Sequence, residues 1–171
     1  MSGLSRLDSF IRRLEAQRAC LDLAAELIAD LDGEVLELGL GNGRTYDHLR
    51  KLLPDRKIYV CERNLAAHPD CIPPLHLLLR GDMRETLPAI RSRLAERVVL
   101  AHLDIGSGDV AASKALADEI TPLILPLLQR DGILISEPAI AAEPLRALPL
   151  PIGVELGRYH LYRRISRRSQ P

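Results

Sequence analysis

The 171-residue chain reads as an α/β protein: a doubly wound, mainly parallel seven-stranded sheet with a C-terminal antiparallel hairpin, preceded by an N-terminal helix. Two observations predict this class. Short apolar runs alternate with amphipathic helical patterns along most of the chain, the order that builds a parallel sheet through crossover helices. One of these runs, residues 35–38, empties into three closely spaced glycines, Gly39, Gly41 and Gly43, and then into a further helical pattern.

Taken in order, residues 1–31 form one amphipathic helix. Leu4, Leu7, Ile11, Leu14, Leu21, Ala25 and Ile28 recur at three and four, and Asp32-Gly33 stops the pattern. Phe10, Leu23 and Leu27 widen the stripe beyond one packing seam, which marks the helix as a cover over a ligand or as a homodimer surface. Strands are expected at 35–38, 57–62, 76–79, 98–104 and 133–136, with helices at 44–53, 84–95 and 111–129 between them. The proline-rich stretch 138–151 is too irregular for a helix. Residues 152–156 and 158–165 then flank Gly157 as a hairpin. No repeat interrupts this order, so the chain divides into a helix at 1–32 and a single α/β domain at 33–171.

Lys plus Arg and Asp plus Glu both number 23, so no global field draws in a polyanion. Aromatic residues make up only 3% of the chain, leaving few platforms for base stacking, and Arg163, Arg164, Arg167 and Arg168 read as a solvated basic end. Nucleic acid is therefore not an expected partner. No apolar run reaches the ~20 residues that span a bilayer, no signal segment opens the chain, and Cys20, Cys61 and Cys71 are scattered. The expectation is a cytoplasmic protein without membrane contact. Cys61 sits in an apolar strand pattern and is expected to pack as a small hydrophobe.

The glycine loop carries the functional signal. Glycines allow positive φ and remove the Cβ atoms that would hold a ligand off the main chain, and the loop delivers it to the free N–H groups of a helix start. A dinucleotide site wants Gly-x-Gly-x-x-Gly, but the last position of that pattern is Arg44 here. The third glycine comes one residue early.

With Glu37 two residues before Gly39, the segment resembles motif I of the class I S-adenosylmethionine-dependent methyltransferases, E/D-x-G-x-G-x-G. The resemblance extends over about residues 33–165, implying five alternating strands and a hairpin that adds an antiparallel edge. It implies S-adenosyl-L-methionine as cofactor, held by Gly39, Gly41, Asn42 and Gly43. Glu37 would face the cofactor's cationic methionine portion. Glu62 ends the second strand about 20 residues beyond the loop, the spacing at which a carboxylate reaches two ribose hydroxyls, with Arg63 beside it. In the resembled family Asp82 would accept from the adenine amine and the Met83 N–H would donate to a ring nitrogen. Asp82 is equally a preferred N-cap for the helix that follows.

At the end of the fourth strand, His102 and Asp104 share a face. The resemblance places Asp104 at the methionine portion and the reaction centre, with Ser107 at its rim. His102 is the candidate general base by side-chain type, against its reading as a hydrogen-bonded core histidine. A metal site from Asp104 and Glu137, as in catechol-type methyltransferases, lacks a third ligand, and no metal is expected. Glu137 and Tyr46 are the next candidates for the chemistry.

The implied enzyme transfers a methyl group to a small-molecule acceptor. No asparagine-proline-proline-aromatic signature follows the fourth strand, and the chain is too short for a large substrate-recognition insertion. The competing functions are a non-catalytic S-adenosylmethionine-binding regulator and a nicotinamide-dependent oxidoreductase on the same topology.

Overall fold

The first helix begins where Ser5 and Asp8 cap each other: the Ser5 hydroxyl accepts from the Asp8 N–H at 3.0 Å and the Asp8 carboxylate from the Ser5 N–H at 3.2 Å. This capping box satisfies two donors that a helix start leaves unpaired. The computed structural model describes residues 4–106 and 108–166. Ser107, Arg167 and Arg168 lie outside them.

Helix α1 spans Arg6–Leu27, shorter at its C-terminal end than the apolar pattern predicts. Its second half buries Ala16, Cys20, Leu21 and Ala24, whereas Leu7, Phe10 and Ile11 in its first half are exposed. The connection to the sheet is held by Arg56, whose guanidinium donates to the carbonyls of Ile28 and Gly33 at 3.0 Å and of Leu31 at 2.6 Å.

The sheet is built from β1 (Glu34–Leu38), β2 (Ile58–Glu62), β3 (Leu78–Arg80), β4 (Val98–Leu103), β5 (Leu128–Ser136), β6 (Leu145–Ala147) and β7 (His160–Arg164). Their order is β3-β2-β1-β4-β5-β7-β6. The first five are parallel, and β7 pairs antiparallel with both β5 and β6. Strand order reverses between β1 and β4, so their carboxyl ends open a crevice between diverging connections.

Helices α2 (Arg44–Leu52), α3 (Met83–Leu94) and α4 (Val110–Ile124) complete the crossovers. Period-two alternation sorts the core into two layers. Leu36 and Leu38 of β1 pack with Leu87 and Ile90 of α3 and Ile120 and Ile124 of α4. Val35, on the other face, packs with Cys20, Leu21 and Ala24 of α1 and Leu49 of α2. Every residue of β1 and β4 is buried, as expected of central parallel strands covered on both faces. Cys61 is fully buried, consistent with its expected packing role.

Several expected boundaries differ: β5 begins at Leu128, ahead of the expected 133, and β3 follows a short helical turn at Leu75–Leu77. Helix α4 was expected to continue to residue 129, but Pro126 has no N–H to extend the ladder, and Leu128 already belongs to β5. The hairpin's first strand is β6 at Leu145–Ala147, inside the proline-rich stretch, and residues 152–156 form no strand beyond an isolated bridge between Leu156 and Tyr159. Gly153 and Gly157 have φ of +88° and +83°, breaking the extended backbone there, and Ile152 and Leu156 are exposed. Proline is tolerated beside an edge strand such as β6, where one row of N–H groups has no partner to lose.

Candidate functional site

A cleft of ≈ 280 Å³ lies at the carboxyl ends of β1, β2 and β4, lined by Gly39, Gly41, Glu62, Asp82, Met83 and Asp104, with Arg63 also on its wall. Its floor is the glycine loop. A Cβ on Gly39 would collide with the Asp104 carbonyl oxygen, so that glycine lets the loop cross the end of β4. A Cβ on Gly41 would meet nothing within 4 Å, although φ is +52°. At Gly41, therefore, bare backbone faces the open cleft. Gly43 caps α2 in the left-handed conformation, and the Asn42 carbonyl accepts from the His68 N–H at 3.3 Å. Neither Asn42 nor Gly43 contributes to the cleft wall.

Glu62 ties this loop to the next. Its Oε2 accepts from the N–H groups of Leu40 at 2.7 Å and Gly41 at 3.1 Å, and its Oε1 accepts from the Asn64 N–H at 2.7 Å. The sequence spacing placed Glu62 at the site but gave no sign of this bracing.

Asp82 is the N-cap of α3, accepting from the Arg84 N–H at 2.9 Å. That bond, aided by the guanidiniums of Arg84 and Arg63, holds its carboxyl below the usual aspartate range against the opposing effect of partial burial. Arg84 is itself gripped by Glu119 at 2.6 and 2.7 Å. The Met83 N–H is in the first turn of α3, where backbone donors have no intrahelical acceptor, and it borders the cleft.

Glu37 and His102 are elsewhere. Both are fully buried on the sheet face covered by α1 and α2, and neither lines the cleft. Glu37 Oε2 meets His102 Nδ1 at 2.8 Å, while Oε1 accepts from the Thr45 hydroxyl of α2. His102 Nε2 lies 3.0 Å from the Tyr159 hydroxyl, which accepts from Gln17 Nε2 of α1 at 2.8 Å. Burial alone would lower the His102 pKa, but the charge and hydrogen bond of Glu37, with Asp104 and Glu137 beyond, raise it above its ordinary value. Tyr159 is pushed well above the usual phenol range, first by burial and then by the Asp104 charge. The resulting chain Thr45–Glu37–His102–Tyr159–Gln17 joins two helices to three strands or their flanks. Period-two alternation puts Glu37 and His102 on the same face as Val35 and Leu100, which foreshadows the pair, but nothing in the sequence singled out Tyr159 or Gln17.

Asp104, just beyond β4, does border the cleft, and its N–H donates to the Leu38 carbonyl at 2.9 Å. Gly106 leads from the cleft into a second cavity of ≈ 500 Å³ walled in part by Arg13, Glu137 and Arg158. Among the described residues no group of three or more His, Cys, Asp or Glu side chains is arranged to hold a metal, and no helix is long and apolar enough to cross a membrane.

The sequence matches the family described as S-adenosyl-L-methionine methyltransferase over residues 4–164. The structure superimposes on the S-adenosyl-L-methionine methyl transferase of Silicibacter pomeroyi with a TM-score of 0.91 and 48% identity, covering 95% of this chain and 99% of that one. It is also similar to human methyltransferase-like protein 13, solved with S-adenosylhomocysteine, at a TM-score of 0.58 and 12% identity over 92% of this chain and 84% of that one. The methyltransferase PaMTH1 of Podospora anserina, also bound to S-adenosylhomocysteine, gives 0.53 and 14% over 97% and 99%. The two distant likenesses concern the fold alone. A search of curated proteins found no match.

Proposed function

The chain belongs to the S-adenosyl-L-methionine methyltransferase family, enzymes with S-adenosyl-L-methionine as cofactor, and from this premise we propose that it methylates a small-molecule acceptor held beside the β1, β2 and β4 strand ends. The observation that carries this reading is the pair of adjoining cavities, one floored by the glycine loop and the other reached past Gly106. The second cavity, ≈ 500 Å³, falls in the range of small-molecule sites.

The residues of the cleft fit the cofactor. Bare backbone at Gly41 leaves room for a ligand against the main chain, and the lining is rich in carboxylate acceptors, which suits a molecule with ribose hydroxyls, an exocyclic amine and cationic groups. Glu62 would take a ribose hydroxyl with the acceptor site its three N–H partners leave over, and Arg63 would flank it. Asp82 and the Met83 N–H would face the adenine, Asp82 keeping its N-cap bond to Arg84. Asp104 would face the methionine portion.

When bound, the cofactor supplies an electrophilic methyl group on its sulfonium. The protein's part is chiefly to fix the distance and angle of approach, which alone can contribute several kcal/mol to a two-body displacement, about 7–11 in well-oriented cases. Within that scheme we assign Glu37 and His102 to positioning. Their mutual bond and complete burial support a role in holding β1 against β4, the two strands whose ends carry the glycine loop and Asp104. A homodimer surface on the first half of α1 is supported by the exposure of Leu7, Phe10 and Ile11, with Leu4 exposed just before the helix.

The test is transfer of a labelled methyl from S-adenosyl-L-methionine into a cell extract divided by size. Label should appear in the small-molecule fraction, with stoichiometric S-adenosylhomocysteine. Label confined to protein or nucleic acid would reject the acceptor class.

A further inference from the structure

We infer that the ≈ 500 Å³ cavity beyond Gly106 selects an acceptor carrying an oxyanion, bound by Arg13 and Arg158, with its reacting amine or hydroxyl turned toward Glu137. This rests on the acceptor reading above and narrows it to a chemical class.

Two guanidiniums line the cavity; that of Arg13 lies over the Phe10 ring at 5.7 Å from its centroid, and the hydrogen bonds of both are long. Arg13 Nη1 lies 3.5 Å from Glu137 Oε2. Arg158 donates to Glu155 at 3.3 Å and to the Ser9 hydroxyl at 3.4 Å. A charge-assisted hydrogen bond in good geometry is ~2.7–2.9 Å, and an Arg fork has five donors. Elsewhere in the same protein Arg84 closes on Glu119 at 2.6 and 2.7 Å, so the cavity pairs are long by the molecule's own standard. Their side chains keep 31% and 30% exposure, which leaves guanidinium surface open to a ligand.

The two cations also approach one face of α1. Ser9 and Arg13 are one turn apart on the helix and therefore share a face. Arg158 reaches Ser9 from the turn before β7, which brings its guanidinium to the face that carries Arg13, on the lining of the same cavity. Paired guanidiniums are the arrangement that recognises planar or tetrahedral oxyanions bidentately.

The opposite charge sits toward the cofactor cleft. Glu137 Oε2 is 2.5 Å from where a Cβ on Gly106 would be, and Arg13 Nη1 is 3.9 Å from the same point. Glu137 thus presses against the segment that joins the two cavities, with Arg13 behind it. Asp109, whose carboxylate caps α4 by accepting from the Ala112 N–H, adds negative charge to the lining of the same cavity. An anion is repelled from the cleft side and drawn to the α1 side. A molecule bearing an oxyanion at one end and an N–H or O–H donor at the other matches both, and its donor then lies nearest the cleft.

The experiment titrates malonate, inorganic phosphate and neutral malonamide into the protein saturated with S-adenosylhomocysteine, followed by calorimetry. Malonate or phosphate should bind and malonamide should not. Whichever anion binds more tightly separates a carboxylate from a phosphate site. Arg13→Gln and Arg158→Gln should each weaken the anion about tenfold or more, the effect of losing one charged hydrogen-bond partner, and Arg13→Lys should retain part of it. S-adenosylhomocysteine affinity, measured in the same variants, should stay unchanged and so report an intact fold. The proposal is overturned if neither anion binds the parent, or if the Arg13→Gln/Arg158→Gln double variant binds as the parent does. Failure of S-adenosylhomocysteine to bind the parent would instead reject the cofactor placement, and anion titration of the cofactor-free protein would still decide the oxyanion site.

Discussion

The Glu37 carboxylate and the His102 imidazole meet at 2.8 Å where neither has any exposed surface. They are register partners on the neighbouring strands β1 and β4, so the pair bridges the two strands between which the sheet reverses. Two groups of this kind are tolerated in a core only when each is fully hydrogen-bonded, and here Thr45, Tyr159 and Gln17 complete the set.

Removing one member should therefore be costly. Glu37→Ala leaves the His102 ring and the Thr45 hydroxyl without their shared acceptor, and breaking a buried pair from one side typically costs about 3–5 kcal/mol. Urea denaturation should show a loss on that scale. A change below about 1 kcal/mol would mean that the pair contributes nothing beyond an exposed one.

The same pair gives stability a pH dependence of definite sign. Burial opposes the protonated ring but Glu37, Asp104 and Glu137 outweigh it, so the folded-state pKa of His102 stands above the unfolded value. Its contribution is complete below the unfolded value, about 6.5, and is lost as pH rises through the folded one. Denaturation midpoints measured upward from neutral pH should fall across that window, and His102→Gln should flatten the fall. A parent whose midpoints rise over the same range would contradict the assignment.

The loop glycines should separate into two phenotypes. Gly39→Ala drives a Cβ into the Asp104 carbonyl and should destabilise the fold by about 1–3 kcal/mol, as overpacking does. Gly41→Val meets open space in the ligand-free protein, so beyond about 1–2 kcal/mol of left-handed backbone strain its damage should fall on cofactor affinity. Calorimetry with S-adenosylhomocysteine and thermal melts on both variants distinguish the two, and parental affinity in Gly41→Val would disprove close backbone approach.

Glu62→Ala should weaken S-adenosylhomocysteine roughly ten- to a hundredfold, the effect of ~1.5–3 kcal/mol for a charged hydrogen-bond partner, while leaving free methionine unaffected. It should also expose the Leu40, Gly41 and Asn64 N–H groups to faster hydrogen exchange, because the carboxylate accepts from all three. Unaltered affinity would remove Glu62 from the site.

The parallel half of the fold was legible because its signals are local. Apolar runs and three-four spacing located the central strands and helices to within a few residues. The hairpin was not: Ile152 and Leu156 look like strand residues, but two glycines at positive φ turn the chain there, and the strand forms instead at Leu145–Ala147. Edge pairing depends on what lies beside a segment, which alternation does not encode. At the site, Glu62, Asp82 and Asp104 could be placed because strand ends converge on one crevice. The side-chain partners that occupy Glu37 and His102 come from 57 or more residues away in the case of Tyr159, and no spacing rule reaches that far.

Arg56 has a mechanical consequence. One guanidinium collects the carbonyls of Ile28, Leu31 and Gly33, the C-cap of α1, the connector after it and the residue before β1. A connector riveted in this way does not work as a hinge. Together with the Gln17–Tyr159 bond farther along the helix, it implies that α1 and the sheet rock as one body, so that any widening of the cavity beside Arg13 depends on side-chain rotation and not on the helix swinging away.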